Sequence, residues 1–268
     1  MASRFAPRAC QDADVAWALD LDGVVWLAET PLPGSAEAVG RLRGAGMRVV
    51  FITNNSSMTV DQYVAKLARF GIEIGAEDLL TSAQAAAQLL EPGSTALVCG
   101  GAGVVEALEA RGVGVVREGS ADAVVVGWHR DFDFDRLAAA TSAVRGGARL
   151  VGTNDDPTYP APEGQLPGAG AILAAVSCAS GATPVVAGKP NPPMVELIRK
   201  RVGPVEVVVG DRPSTDGLLA RRLGAQFALV LTGVIDAAGA AALDPRPEHV
   251  APDLAALVAG YQGDRGAV

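Results

Sequence analysis

Residues 15–25 read Val-Ala-Trp-Ala-Leu-Asp-Leu-Asp-Gly-Val-Val, and the rest of the chain can be interpreted from them. Five apolar residues run into two carboxylates one residue apart, a pattern typical of a strand buried on both faces of a parallel sheet. Asp20 and Asp22 then lie at the carboxyl end of that strand, where open α/β sheets bind ligands. Because residues i and i+2 of a strand share a face, the two carboxylates repel each other unless a cation lies between them or one is protonated. The pair indicates a metal site or an acid/base site.

Length and composition favour an α/β protein and argue against several classes of partner. The 268 residues exceed one average domain, and 49% are apolar but only 4% aromatic, which suits buried parallel strands covered by helices. A net charge of −8 without a basic stripe makes nucleic acid an unexpected partner. No apolar run approaches membrane-spanning length, and residues 1–14 lack the apolar core of a secretory signal. We therefore expect a protein with no membrane or nucleic-acid partner.

Cysteine and histidine are too few and too scattered for a disulfide framework or a histidine-based metal centre. The cysteines are Cys10, Cys99 and Cys178, with no CxxC spacing, and the histidines are His129 and His249. This usage fits free thiols in a reducing compartment. We expect a cytoplasmic protein.

Strands and helices alternate along the chain, which predicts parallel α/β units. We expect a parallel-sheet core with further strands at 48–52, 184–187, 205–209 and 226–231. A second α/β domain is predicted to have strands at 96–99, 113–116, 123–127 and 149–152. Other segments are predicted as short helices at 76–90, a long irregular loop at 153–168 and a helix at 216–224. The implied domains are a discontinuous core, 1–85 plus 184–268, and an inserted domain, 86–183.

Polar residues follow four of the predicted core strands, all at one edge of the sheet. They are Asp20 and Asp22, then Thr53 with Asn54 and Asn55, then Lys189, and finally Asp211 with Asp216. Taken singly, each has a plainer interpretation, such as a helix cap for Thr53 or Asp216 and a solvated lysine at 189. Together they meet the requirements of phosphoryl transfer: a carboxylate nucleophile, oxygen ligands for Mg²⁺, and donors for the equatorial oxygens.

Four motifs, in this order, resemble those of the haloacid dehalogenase superfamily of phosphatases. They are Asp-Leu-Asp-Gly from Asp20, Thr-Asn-Asn-Ser from Thr53, Gly-Lys-Pro from Gly188 and Gly-Asp-x-x-x-x-Asp from Gly210. The spacing of 33 residues from Asp20 to Thr53 leaves no room for a cap domain, whereas the spacing of 136 from Thr53 to Lys189 does. The chain thus resembles subfamily IIA, typified by 4-nitrophenylphosphatases, phosphoglycolate phosphatases and pyridoxal phosphate phosphatases.

The resemblance implies a Rossmann-like core with an inserted α/β cap, and a Mg²⁺-dependent phosphatase that forms an aspartyl-phosphate. By position, Asp20 is the nucleophile and a magnesium ligand. Asp22 is the general acid/base, and its backbone carbonyl joins the metal ligands. Asp211 is a further ligand, with Asp216 either a ligand or a partner of one. Trp26 stands just beyond the first motif, and its role stays open.

The same resemblance assigns substrate-binding residues. Thr53 with Asn54 and Asn55 is expected to bind the phosphoryl group, and Lys189 to hold the phosphate and order Asp20. Asn154 lies in the loop at 153–168, which we expect to select the leaving group rather than to perform chemistry. The substrates implied are small phosphomonoesters such as glycerol 3-phosphate, phosphoglycolate, pyridoxal phosphate or sugar phosphates. A homodimer formed through the cap is also implied.

Four alternatives stay open at this point. The glycines of Gly100-Gly-Ala-Gly invite a dinucleotide site, but the third glycine of that pattern is Glu106, so we favour a tight turn inside the cap. A response-regulator receiver uses similar residues but is about half as long, and its phosphorylated aspartate is not on the first strand. The chain could also be a catalytically silent binding protein with the same fold, and an activity measurement distinguishes this alternative from an enzyme. Phosphomutases related to this family generally carry other caps.

Overall fold

The computed structural model describes residues 15–161 and 164–265, so the segment 1–14, with Cys10, lies outside the described residues. The strands are β1 (Ala16–Leu19), β2 (Trp26–Leu27), β3 (Thr30–Pro31), β4 (Arg48–Thr53), β5 (Leu79–Thr81), β6 (Thr95–Cys99), β7 (Gly114–Val116), β8 (Ala123–Val126), β9 (Arg149–Gly152), β10 (Thr158–Ala161), β11 (Gly164–Pro167), β12 (Val185–Val186), β13 (Val205–Gly210), β14 (Gln226–Val230) and β15 (His249–Ala251).

The helices follow the strands in the alternation that the sequence predicts. They are α1 (Ser35–Gly44), α2 (Val60–Arg69), α3 (Ser82–Ala87), α4 (Ala102–Ala110), α5 (Phe134–Arg145), α6 (Ala169–Ser180), α7 (Pro192–Arg201), α8 (Leu218–Leu223), α9 (Ala237–Ala241) and α10 (Leu254–Arg265). A 3₁₀ turn occupies Ala76–Asp78, and a π-helical turn occupies Pro213–Gly217. Among the described residues, no helix is both long and apolar enough to cross a membrane.

Strand β1 is an inner strand of the larger sheet. In the described part of the chain this sheet has six strands in the order β15-β14-β13-β1-β4-β5. β1 pairs in parallel with β13 on one side and β4 on the other, so that Trp17 stands opposite Val207 and Val49. All four residues of β1 are fully buried. The parallel sheet predicted from the apolar run before Asp20 is confirmed.

A second parallel sheet forms the inserted part of the chain. Over the described residues it has five strands in the order β12-β9-β8-β6-β7. Its core includes Leu97 of β6, Val124 and Val126 of β8, and side chains from two helices, among them Val144 of α5 and Ile172 of α6. Parallel strands need crossover connections, which these helices provide. The α/β class predicted for this region is confirmed.

The chain divides into two compact units. One contains the described parts of 1–52, 66–79 and 198–268, and the other contains 53–65 and 80–197. The predicted insertion, 86–183, falls within the second unit, which also includes the segments around Thr53 and Lys189. The cap boundaries themselves stay a prediction.

Three local predictions differ from the structure. Residues 76–90 were expected to be helical, but Leu79–Thr81 is a strand, because its two leucines are fully buried and Thr81 caps α3 by accepting from Gln84 N. Within the segment expected to be an irregular loop, β10 (Thr158–Ala161) pairs antiparallel with β11 (Gly164–Pro167), so that Thr158 stands opposite Pro167. Proline is tolerated on edge strands, which is why proline content misled the prediction. Helix α8 begins at Leu218, because Asp216 belongs to the preceding π-helical turn.

The start of α4 packs closely against the backbone at 57–58. A Cβ atom at Gly101 would lie 2.7 Å from the Ser57 carbonyl oxygen, and one at Gly103 would overlap the Met58 carbonyl oxygen. The Gly103 N–H donates to Ser57 O at 3.3 Å. Backbone packing therefore explains the glycines that invited a dinucleotide site, and the tight turn is the better interpretation.

We predict that Gly103→Ala lowers the free energy of unfolding by about 1–3 kcal/mol, because the added methyl group overpacks a rigid backbone contact. Gly40→Ala is the matched control, since Gly40 is an exposed residue of α1 with open space around its Cβ position. That variant should gain up to about 1 kcal/mol from the better helix propensity of alanine. Urea denaturation of both variants measures the difference. Equal stabilisation by the two substitutions would contradict the close approach at α4.

Candidate active site

The turn after β1 fixes the positions of the first two acids. Asp20 N donates to Val209 O at 2.9 Å, so pairing with β13 continues to the acid itself. The turn then closes on itself, because the backbone N–H groups of Val25 and Trp26 both donate to Leu21 O. Asp20 therefore leaves the sheet at its carboxyl edge with a defined backbone direction.

Three carboxylates meet at this edge. Asp20 follows β1, Asp211 follows β13, and Asp216 lies in the π-helical turn; one oxygen of each lies within 4.8 Å of those of the other two. Asp211 is 5% exposed and Asp216 is fully buried. Arg212 N donates to Asp216 Oδ2 at 3.3 Å, which orients that carboxylate. The structure thus brings together Asp20 and Asp211, which the family resemblance gives as magnesium ligands, and Asp216, which it gives as either a ligand or a partner of one.

Glycines make room for these carboxylates. A Cβ atom at Gly23 would lie 2.6 Å from the Asp211 carboxylate, and Cβ atoms at Gly210 and Gly233 would overlap Asp216 and Asp211 respectively. Val234 N donates to Asp211 Oδ2 at 3.0 Å. Converging carboxylate oxygens are the hard donors that Mg²⁺ prefers, so the residues fit this ion.

Asp22 lies in the same turn, two residues after Asp20, and is half-buried. Its Oδ1 accepts a hydrogen bond of 3.0 Å from the indole Nε1 of Trp26. The role of Asp22 as general acid/base, and of its carbonyl as a metal ligand, stays a prediction.

Asn54 is the centre of a second polar group. Its Oδ1 accepts from Lys189 N at 2.7 Å, and its Nδ2 donates to Lys189 O at 3.2 Å and to Asp156 Oδ2 at 3.0 Å. Its backbone carbonyl accepts from Asn154 Nδ2 at 2.6 Å and from Ser82 Oγ at 2.5 Å. The structure therefore joins Asn54, Asn154 and Lys189, three of the predicted substrate-binding residues, through the side chain and the backbone carbonyl of one buried residue.

The other two predicted phosphate binders stabilise their own turn. Thr53, the last residue of β4 and 1% exposed, accepts from Asn55 N at its Oγ1 at 3.0 Å. Asn55 Oδ1 accepts from Ser57 N and Ser57 Oγ, and Tyr63 Oη donates to Asn55 O. These side chains shape the turn before α2. Phosphate binding by Thr53, Asn54, Asn55, Asn154 and Lys189 stays a prediction.

Sequence reasoning missed two members of this network. Asp156 lies in the segment predicted as an irregular loop, and Ser82 lies in a segment predicted as short helices, so no sequence pattern marks either as a partner of Asn54. The side chain of each reaches Asn54, across 102 and 28 residues of chain respectively. Periodicity reports local structure and carries no information on such distant partners.

A cysteine and a histidine approach each other in the second unit, but they do not form a nucleophilic pair. Cys99 Sγ lies 3.6 Å from His129 Nε2, and both residues are buried. Burial raises the pKa of the Cys99 thiol to about 11 and lowers the pKa of His129. Because the thiolate is the reactive form, Cys99 is unreactive near neutral pH.

Comparison with known proteins identifies the family. A haloacid dehalogenase-like hydrolase model matches residues 17–114, and a HAD-hydrolase-like model matches residues 186–257. The D-glycerol 3-phosphate phosphatase of Mycobacterium tuberculosis is 38% identical over 248 residues, which are 89% of this chain and 69% of that protein.

Two crystal structures share the fold over nearly the whole chain. Glycerol phosphate phosphatase from Mycobacterium tuberculosis in complex with magnesium has a TM-score of 0.84 at 36% identity, covering 91% of this chain and 76% of that one. The 4-nitrophenylphosphatase of Thermotoga maritima has a TM-score of 0.85 at 32% identity, covering 94% and 98%. The chain therefore belongs to the haloacid dehalogenase-like hydrolases, as a phosphoric monoester hydrolase of the subfamily that its four motifs resemble.

Proposed function

We propose that this enzyme hydrolyses small phosphomonoesters through an aspartyl-phosphate on Asp20, with Mg²⁺ as cofactor. The convergence of Asp20, Asp211 and Asp216 within 4.8 Å carries the proposal, because such a cluster suits a divalent cation and one of its members follows β1 directly. Glycerol 3-phosphate is the first substrate to test, since the name of the Mycobacterium tuberculosis relative specifies it. Phosphoglycolate, pyridoxal phosphate and sugar phosphates complete the candidate panel.

In the proposed first step, a carboxylate oxygen of Asp20 attacks phosphorus while the ester P–O bond breaks. Asp22 gives its proton to the departing oxygen. In the second step, Asp22 takes a proton from a water molecule whose oxygen attacks the phosphorus of the aspartyl-phosphate. Inorganic phosphate leaves, and Asp20 is regenerated.

The remaining residues stabilise charge in this scheme. When bound, Mg²⁺ supplies the positive charge that lets the phosphate share a pocket with carboxylates. Asp20, Asp211 and Asp216 would hold it, and Thr53 and Lys189 are assigned to the phosphate oxygens. The buried Lys189 is held through its backbone by Asn54, which supports a fixed position for its ammonium group.

Location and assembly belong to the same proposal. A cytoplasmic location is supported by Cys99 and Cys178, which are free thiols in the described part of the chain. A homodimer through the cap rests on the family resemblance, and light scattering of the purified protein tests it.

We predict that a chelator abolishes hydrolysis of 4-nitrophenyl phosphate and that Mg²⁺ restores it. Ca²⁺ should restore it poorly, because its larger and looser coordination shell disfavours a fixed in-line geometry. Gly233→Ala should raise the Mg²⁺ concentration for half-maximal activity, since its Cβ would displace the Asp211 carboxylate. Gly40→Ala, distant in sequence and exposed, is the control and should keep the wild-type concentration. Full activity in chelator would refute the metal site.

We predict that Asp22→Asn gives a burst of nitrophenol from 4-nitrophenyl phosphate, at most one per active site, followed by a slow steady state. A good leaving group needs little protonation, whereas hydrolysis of the aspartyl-phosphate always needs a base. General acid–base catalysis typically accelerates a step by about 10²–10⁴-fold, so hydrolysis of the aspartyl-phosphate should slow by that order. Asp20→Asn is the control and should show neither burst nor turnover. Stopped-flow absorbance measures both variants, and a burst from Asp20→Asn would contradict the assigned roles.

A further inference from the structure

Trp26 contacts the proposed general acid/base directly. Its indole Nε1 donates to Asp22 Oδ1 at 3.0 Å, across a turn whose backbone is also closed by Gly23 N donating to Trp26 O at 2.8 Å. Two hydrogen bonds therefore link the ends of this turn, one between side chains and one between backbone groups. The carboxyl group of Asp22 is tied to a ring rather than to a flexible chain.

The ring itself is tightly held. Trp26 is 1% exposed, Phe70 packs against it in a T-shaped arrangement with ring centroids 5.8 Å apart, and Lys66 Nζ lies 4.5 Å from the centroid of the indole. Lys66 is in turn fixed by donating to Ala28 O at 2.6 Å and to Glu29 Oε1 at 2.9 Å. A cation over an indole face is an attractive contact, and it is stronger where both groups are desolvated. The indole N–H therefore has a defined direction.

An N–H donor distinguishes the two oxygens of a carboxyl group. Asp22 Oδ1 accepts the indole N–H, and an indole nitrogen can only donate. Because a carbonyl oxygen is a better acceptor than a carboxylic-acid hydroxyl oxygen, this bond favours the protonated form of Asp22 that carries its proton on the other oxygen.

We propose that Trp26 is a positioning residue for Asp22, which holds one carboxyl oxygen so that the other delivers the proton. The inference rests on the proposed function, in which Asp22 protonates the leaving oxygen as the ester P–O bond breaks. The same oxygen then takes the proton of the attacking water. Trp26, being buried, acts through Asp22 and has no substrate contact in this account.

Trp26→Phe tests the inference, because it keeps an aromatic ring and removes the N–H donor. We expect kcat for glycerol 3-phosphate, an alkyl ester with a poor leaving group, to fall by about 10-fold or more with little change in KM, within the range of acid–base catalysis. The first-turnover release of nitrophenol from 4-nitrophenyl phosphate should keep the wild-type rate. A merely structural role would lower both rates alike.

Trp17→Phe is the matched control. Trp17 is fully buried in β1, and its ring packs against Tyr261 with centroids 4.8 Å apart, so the same substitution removes a buried indole from the same compact unit. It should lower thermal stability without any dependence on the leaving group. An equal leaving-group dependence in both variants would overturn the inference.

A double-mutant cycle separates this inference from the proposed function. In an Asp22→Asn background, Trp26→Phe should cause no further loss of turnover, since residues that act through one another are not additive. If Asp22→Asn shows the burst but Trp26→Phe has the kinetics of the wild-type enzyme, the positioning role of Trp26 alone is overturned. Full turnover by Asp22→Asn would overturn the role of Asp22 and this inference together. If Trp26→Phe lowers turnover by the same factor in the wild-type and Asp22→Asn backgrounds, the positioning role of Trp26 is also overturned.

Discussion

The mutual repulsion of three carboxylates is the constraint on which the site depends. At an effective dielectric constant of about 20, two unit charges 4 Å apart repel by about 4 kcal/mol, and three acids make three such pairs. Asp20, Asp211 and Asp216 nonetheless lie within 4.8 Å of one another. The pairing of β1 with β13 brings Asp20 and Asp211 to one sheet edge. Glycines at 23, 210 and 233 leave the space that the carboxylates of Asp211 and Asp216 occupy, because a Cβ atom at any of them would overlap a carboxylate. The fold therefore places three carboxylates where a divalent cation would offset their negative charge.

A second constraint is the dual use of Asn54. One side-chain amide bonds both backbone groups of Lys189, 135 residues away, and also Asp156 of the loop that we expect to select substrates. A buried amide that satisfies its donors and acceptor in this way resists rearrangement, because each lost partner leaves an unpaired polar group. Asp156 of the loop and the backbone of Lys189 are thus held by the same side chain.

The sequence predicted the parallel sheet, the second α/β region and the three-acid cluster, because apolar runs ending in acids report strand ends directly. It could not predict the antiparallel pairing of β10 with β11, because both strands contain proline, which local patterns associate with loops although edge strands tolerate it. It also could not give the partners of side chains that meet across the chain, such as Trp26 with Lys66 or Ser82 with Asn54. Those contacts depend on tertiary packing, which local patterns do not encode.

Thermal unfolding at increasing Mg²⁺ concentrations measures whether Asp20, Asp211 and Asp216 form a divalent-cation site. We expect Mg²⁺ to stabilise the wild-type protein, by about 2.7 kcal/mol at 100 times its dissociation constant, since it binds the folded state. Asp216→Asn keeps the shape of the side chain but removes one charge, so it should be more stable than the wild type in chelator and respond weakly to Mg²⁺. A wild-type midpoint that does not change with Mg²⁺, or an Asp216→Asn variant destabilised in chelator, would show that these three acids do not form such a site.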